Sequence, residues 1–200
     1  MDFVEELLPE LMFQASDVSD TALRRALRLG AQDLLINSDL WVQELLPITL
    51  YSNLQRYTMR LPTSTRISRV EWVKLDGQPL EPLELEDIAE NDEIGFHITN
   101  DHPHQLVVTD KTPRGQIRMA VRLYPTNTAT DLPEWLVQDF RTALVNSALI
   151  KVYGMPGSPW FDPNLAQLLG SQVQSAILNG QRLISNRKRG RRRVVRYGGL

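Results

Sequence analysis

The chain has 200 residues, 42% of them hydrophobic, with no cysteine and with 22 basic residues against 24 acidic ones for a formal net charge of −2. That is enough apolar material for a real core, in one domain or in two small lobes, and the missing cysteines exclude disulfides, thiolate zinc sites and cysteine nucleophiles together. The charges are segregated: residues 1–162 carry fourteen Lys/Arg against twenty-four Asp/Glu and residues 163–200 carry eight Lys/Arg and no acid, so a body of −10 is followed by a segment of +8.

The first forty residues have helical spacing. Residues 3–13 form a short amphipathic piece whose acidic start lacks the basic n-region and apolar core of a signal peptide. Ser16-Asp17-Val18-Ser19-Asp20 supplies caps for a second helix. Its apolar stripe is Ala22, Leu23, Ala26, Leu27, Gly30, Ala31, Leu34 and Leu35, with Arg24, Arg25, Arg28, Gln32 and Asp33 on the other face. The helical period stops near residues 37–41.

From about residue 42 the period becomes two. Tyr57, Met59 and Leu61 alternate with polar residues, as do Ile94, Phe96 and Ile98, and Ile117, Met119, Val121 and Leu123. Asp76-Gly77 after the run 70–75 predicts a tight hairpin. Seven prolines from Pro47 to Pro125 punctuate short strands, so an antiparallel sheet or small sandwich is expected.

Helical spacing then returns. Asp131-Leu132-Pro133-Glu134 reads as an N-cap with a glutamate three residues on, opening one helix through Trp135, Leu136, Phe140, Ala143, Leu144, Ser147 and Ala148 to Gly154. After the loop 155–161, Asp162-Pro163 predicts a capped helix with Leu165, Leu168, Leu169, Val173, Ala176, Ile177, Gly180 and Ile184 inward. The expected class is therefore α+β: a small helical bundle from residues 1–41 and 131–186, an inserted antiparallel β-sheet or sandwich over 42–130, and an extended basic C-terminal arm over 187–200.

The search for chemistry is short. His97, Asp101, His102 and His104 are the only clustered metal-ligand types, and their turn-forming neighbours favour a plain loop over a metal site. The carboxylates Glu81, Glu84, Glu86, Asp87, Glu90, Asp92 and Glu93 read as a solvated acidic connection, although a hydrolytic acid/base pair among Glu84, Asp87 and Glu90 is the weakest of three functional readings. No phosphate-cradling glycine loop or nucleophile elbow is present, and no cofactor is expected. Trp160-Phe161 and Trp135 read as hydrophobic staples at helix starts. No apolar run approaches the ~18 residues of a membrane span, so a soluble, non-secreted protein is expected.

The candidate binding residues are Arg187, Lys188, Arg189, Arg191, Arg192, Arg193, Val194, Val195, Arg196 and Tyr197. The run is too repulsive to be expected to fold alone. A DNA-gripping arm would gain from counterion release but would bring an acidic body to the duplex. A solubilising tail has no use for the two valines and the tyrosine. An arm that docks on an acidic protein surface, with its apolar residues in a groove, uses every residue type present.

The order of events resembles the head–tail adaptor (connector) proteins of tailed bacteriophages, of the tail tubular protein A type. The resemblance spans most of residues 1–186. It rests on Leu23-Arg24-Arg25-Ala26-Leu27, Tyr57-Thr58-Met59-Arg60-Leu61-Pro62, Val73-Lys74-Leu75-Asp76-Gly77-Gln78-Pro79-Leu80, Leu123-Tyr124-Pro125, Leu132-Pro133-Glu134-Trp135-Leu136 and Pro159-Trp160-Phe161-Asp162-Pro163. It implies a non-enzymatic virion protein at the head–tail interface, present in the host cytoplasm during assembly. Its partners would be the portal protein, a tail or nozzle protein, and itself in a ring of twelve copies. Genomic DNA would pass through without sequence-specific binding, and no membrane would be involved.

Overall fold

A computed structural model of the chain describes residues 1–51, 54–85, 88, 94–99, 103–109 and 114–190, with side chains described through Arg182. Helix makes up 43% and strand 27%, in separate stretches of the chain, which is the α+β class. Two units result. One contains Met1–Trp41 and the chain from Tyr124 onward, and the other is Val42–Leu123.

The first unit is helical. Helix α1 (Phe3–Gln14) starts where the Asp2 carboxylate accepts from the Val4 and Glu5 N–H groups at 3.0 and 3.1 Å, and it buries Phe3, Val4, Leu7, Leu8 and Leu11. Helix α2 (Asp20–Ser38) begins at Ser19, whose hydroxyl accepts from Ala22 N–H, and ends at Asp39 in the left-handed region at φ 57°. Leu23, Ala26, Leu27, Gly30, Ala31, Leu34 and Leu35 are buried as their spacing requires.

Helix α3 (Glu134–Asp139) and helix α4 (Arg141–Tyr153) replace the single helix expected over 132–154. The break is Phe140, at φ −118° and ψ 21°, which still donates to Leu136 O and accepts from Leu144 N–H. Asp131 is not the expected cap either. It forms an isolated bridge with Asp2, and its carboxylate lies 3.4 Å from the Met1 ammonium, so α3 starts at Pro133 without a side-chain cap. Phe3 N–H donates to Thr130 O, Leu132 N–H to Met1 O, and Arg28 to Ala129 O, all within 3.2 Å. These bonds tie residues 129–132 to the helices, and the β unit ends at Leu123 rather than at residue 130.

Helix α4 is buried on nearly every side, from Ala143 through Leu149 and at Val152, as the central helix of a bundle must be. It meets α2 at Gly30, where an added Cβ would lie 2.6 Å from Ala148 N and 2.7 Å from the Ser147 carbonyl carbon. Helix α5 (Pro163–Gly190) packs on its other side, and the buried Asn146 amide donates to Gln172 Oε1 at 2.9 Å.

The second unit holds two sheets. In the first, strands β1 (Val42–Glu44) and β2 (Ile48–Leu50) both pair with β9 (Gly115–Pro125), which pairs through β4 (Thr65–Leu75) to β5 (Gln78–Pro79). The β4–β5 hairpin turns on Asp76 at φ 47° and Gly77 at φ 90°, the two positive values its sequence predicts. In the second sheet the order is β3 (Arg56–Thr58), β8 (Gln105–Val108), β7 (Gly95–Ile98), β6 (Glu81–Pro82). The pairs β1–β9, β2–β9, β4–β5, β3–β8 and β7–β8 are antiparallel, and β6 with β7 is parallel.

The chain changes sheets at Leu80. Leu80 N–H still donates to Val73 O of the first sheet, whereas Leu83 N–H donates to Phe96 O of the second. Pro79 and Pro82 sit on the two outermost strands, where a missing N–H costs least. Ile117, Met119, Val121 and Leu123 are buried as expected. In β7 the expected alternation does not hold: Ile94 precedes the strand and is 44% exposed, while Gly95 and Phe96 are buried.

Candidate docking surface

The last helix, α5, carries the basic segment, so its anchorage decides where those charges go. Asp162 caps it, accepting from Leu165 N–H at 3.0 Å, and Pro163 takes the first position with its fixed φ. Leu169, Ile177 and Gly180 face inward. A Cβ on Gly180 would lie 2.5 Å from Leu40 Cδ2 and 2.8 Å from the Phe140 ring, so the helix is seated closely there. Gln181 donates to Ser38 O at 3.1 Å. Leu168, expected inward, is 56% exposed, because it lies about 100° round the helix from Leu169 and about 180° from Ile177.

The helix does not end with its apolar stripe. It continues to Gly190, so Arg187, Lys188 and Arg189, expected in an extended arm, belong to its last turn. Three physical facts outweigh the repulsion between these neighbours. Propagating an existing helix adds one hydrogen bond for each residue fixed. Side chains one and two apart on a helix do not face each other, so their like charges are held apart. Cations at a helix C-terminus are favoured by the macrodipole. Arg191, Arg192, Arg193, Val194, Val195, Arg196 and Tyr197 lie outside the described residues.

Beside α5, the break at Phe140 opens a groove of about 590 Å³ lined by Trp135, Asp139, Phe140, Arg141, Ala176 and Gly180. Trp135 stands edge-on to Phe140 with ring centres 6.5 Å apart and remains 40% exposed. Its expected role as a staple is only half met, since much of the indole faces solvent. The Asp139 carboxylate is exposed and has no ion-pair partner among the described residues.

Arg141, the cation in the groove wall, is already committed to α1. It donates to Glu6 Oε1 at 2.8 Å and to Glu10 Oε2 at 2.9 Å, and these hydrogen bonds hold its guanidinium pKa above the ordinary value. One cation between two carboxylates leaves that cluster with a net negative charge. Elsewhere in the helical unit Arg24 joins Glu5 and Asp20, and Lys151 joins Asp33.

The other candidates from the sequence take structural places. His97 Nδ1 is 3.0 Å from Leu83 O, so it ties β7 to the chain just after β6 instead of facing a polar surface. His104 is buried, with Nδ1 3.0 Å from Thr99 O. Asp101 and His102 lie outside the described residues, as do Glu86, Asp87, Glu90, Asp92 and Glu93. Among the described residues no three His, Asp or Glu come together as a metal site, and no helix is long and apolar enough to cross a membrane. Trp160 is half-buried and Phe161 stays 44% exposed before the Asp162 cap.

The sequence reading did not foresee the groove, which is built from residues 135–143 and 176–180 by a helix break that apolar spacing cannot reveal. No protein-family model matches this chain, and no curated protein matches it significantly.

Proposed function

We propose that the chain is a non-enzymatic head–tail adaptor of a tailed-phage virion. In this reading it forms a ring of twelve copies that joins the portal protein to a tail or nozzle protein around the DNA exit channel. The observation that carries the reading is the placement of opposite charges on one helical unit. Through Asp162 that unit has five Lys/Arg against twelve Asp/Glu, and after Asp162 it has eight Lys/Arg and no acid.

An acidic body repels the duplex that passes it, while a basic, apolar-tipped segment is suited to an acidic protein surface. The base of that segment is helix α5, which is seated closely at Gly180. The sequence order shared with adaptor proteins supports the same reading. It gives a protein that gathers in the host cytoplasm and ends at the head–tail interface.

Seven of the cations lie from Arg187 onward, which favours a second reading as a DNA-binding accessory protein. The two separate by salt dependence. An arm that releases seven counterions from duplex DNA would show a log–log slope of about −6 in affinity against salt. The adaptor reading expects weak duplex binding and co-assembly of the full chain with portal rings, lost when residues 187–200 are deleted. Undiminished assembly of the deleted chain on portals would overturn docking through the arm.

A further inference from the structure

We propose that the groove between the α3–α4 break and α5 receives residues 191–197 of a second copy of this chain. The inference deepens the reading above and rests on its claim that the arm docks on protein. It names the partner surface.

The chemistry of the two sides matches. The groove offers a half-exposed indole at Trp135, a carboxylate at Asp139 without an ion-pair partner among the described residues, and small residues at Ala176 and Gly180. Residues 191–197 offer four arginines, two valines and a tyrosine. A guanidinium can stack on an indole face and fork onto a carboxylate, and valines need only a shallow apolar floor. The one cation among the described wall residues does not oppose this, because Arg141 is held between Glu6 and Glu10. Through Asp162 the helical unit as a whole carries an acidic surplus of seven.

Geometry assigns the occupant to another copy. Gly180 lines the groove, and the same helix then runs ten residues to Gly190, about 15 Å along its axis at 1.5 Å per residue. To fill its own groove, a chain would have to reverse at Gly190 and run back along α5. A second copy reaches the groove without that reversal. Arm into groove is a head-to-tail contact, and such contacts close into rings when the rotation permits.

The test mixes two variants of the full protein. Asp139→Lys keeps the arm and spoils the groove, whereas truncation after Gly190 keeps the groove and removes the arm. Asp139 is exposed, so its replacement leaves the fold intact, which an unchanged melting temperature would verify. In sedimentation velocity the unaltered chain is expected to self-associate, and each variant alone to do so at least about tenfold more weakly. The equimolar mixture is expected to form a one-to-one complex, because each partner supplies what the other lacks. Trp135→Ala in place of Asp139→Lys is expected to give the same pattern.

An unaltered chain that stays monomeric at its highest soluble concentration would overturn the proposal, as would variants that associate normally or a mixture with no complex. An arm docked in its own groove would give that monomer, with residues 191–200 protected from protease at every dilution. Portal assembly separates the two levels of the argument. If Asp139→Lys associates normally and joins portal rings, the groove is wrong and the adaptor reading stands. If the mixture forms its complex but the unaltered chain ignores portals, the adaptor reading is wrong and the groove stands.

Discussion

Gly30 sets how closely α2 and α4 approach, because any Cβ there would sit within 2.7 Å of the α4 backbone. Gly30→Ala would gain up to about 1 kcal/mol of helix propensity. Overpacking against backbone that cannot rotate aside costs about 1–3 kcal/mol and outweighs it. The variant is expected to unfold at a lower denaturant midpoint with an unchanged slope. Arg24 acts at the surface, where it donates to Asp20 at 2.8 Å and grips Glu5 with both terminal nitrogens. Its hydrogen bond holds the Glu5 carboxyl below the ordinary 4.5. A carboxylate with a depressed folded pKa contributes stability above its unfolded pKa and loses it as pH falls through the folded value. Arg24→Ala is therefore expected to raise the Glu5 pKa toward 4.5, seen by carboxyl NMR titration, and any stability deficit of the variant should vanish in acid. A Glu5 pKa that does not move would refute the pairing.

Helix α5 shows which parts of an element its sequence reveals. Its start was legible because Asp162-Pro163 combines an N-cap acceptor with a residue that lacks an N–H, and the cap is present. Asp162→Ala is expected to cost about 1 kcal/mol. Faster hydrogen exchange at residues 164–166, with the far end of α5 unchanged, would check it. The end of α5 was not legible, since apolar spacing stops at Ile184 while the backbone continues to Gly190 without needing a buried face. The same limit hid the break at Phe140, because apolar residues keep helical spacing across it. At Asp131 a local signature misled: the residue that resembles a cap is held by Asp2 and the Met1 ammonium, which lie far away in sequence. The hairpin at Asp76-Gly77 was legible because its requirement for positive φ is local.

At the scale of the whole molecule, the charge asymmetry was visible in the sequence and the groove was not. Charge is counted along the chain, whereas the groove needs α3, α4 and α5 folded together. Through Asp162 the surplus of acid sits mostly on the helical unit, with five Lys/Arg against twelve Asp/Glu there and nine against twelve in residues 42–123. The basic segment thus begins on the unit with the greater negative charge. The proposed self-assembly and the proposed exclusion of DNA both rest on that placement. Electron microscopy of the full chain incubated with the portal protein of the same virus tests the central claim most directly. The account predicts an added ring of twelve copies on the portal, and no ring when residues 187–200 are removed. Bare portals beside a chain that instead binds duplex DNA with a steep salt dependence would contradict it.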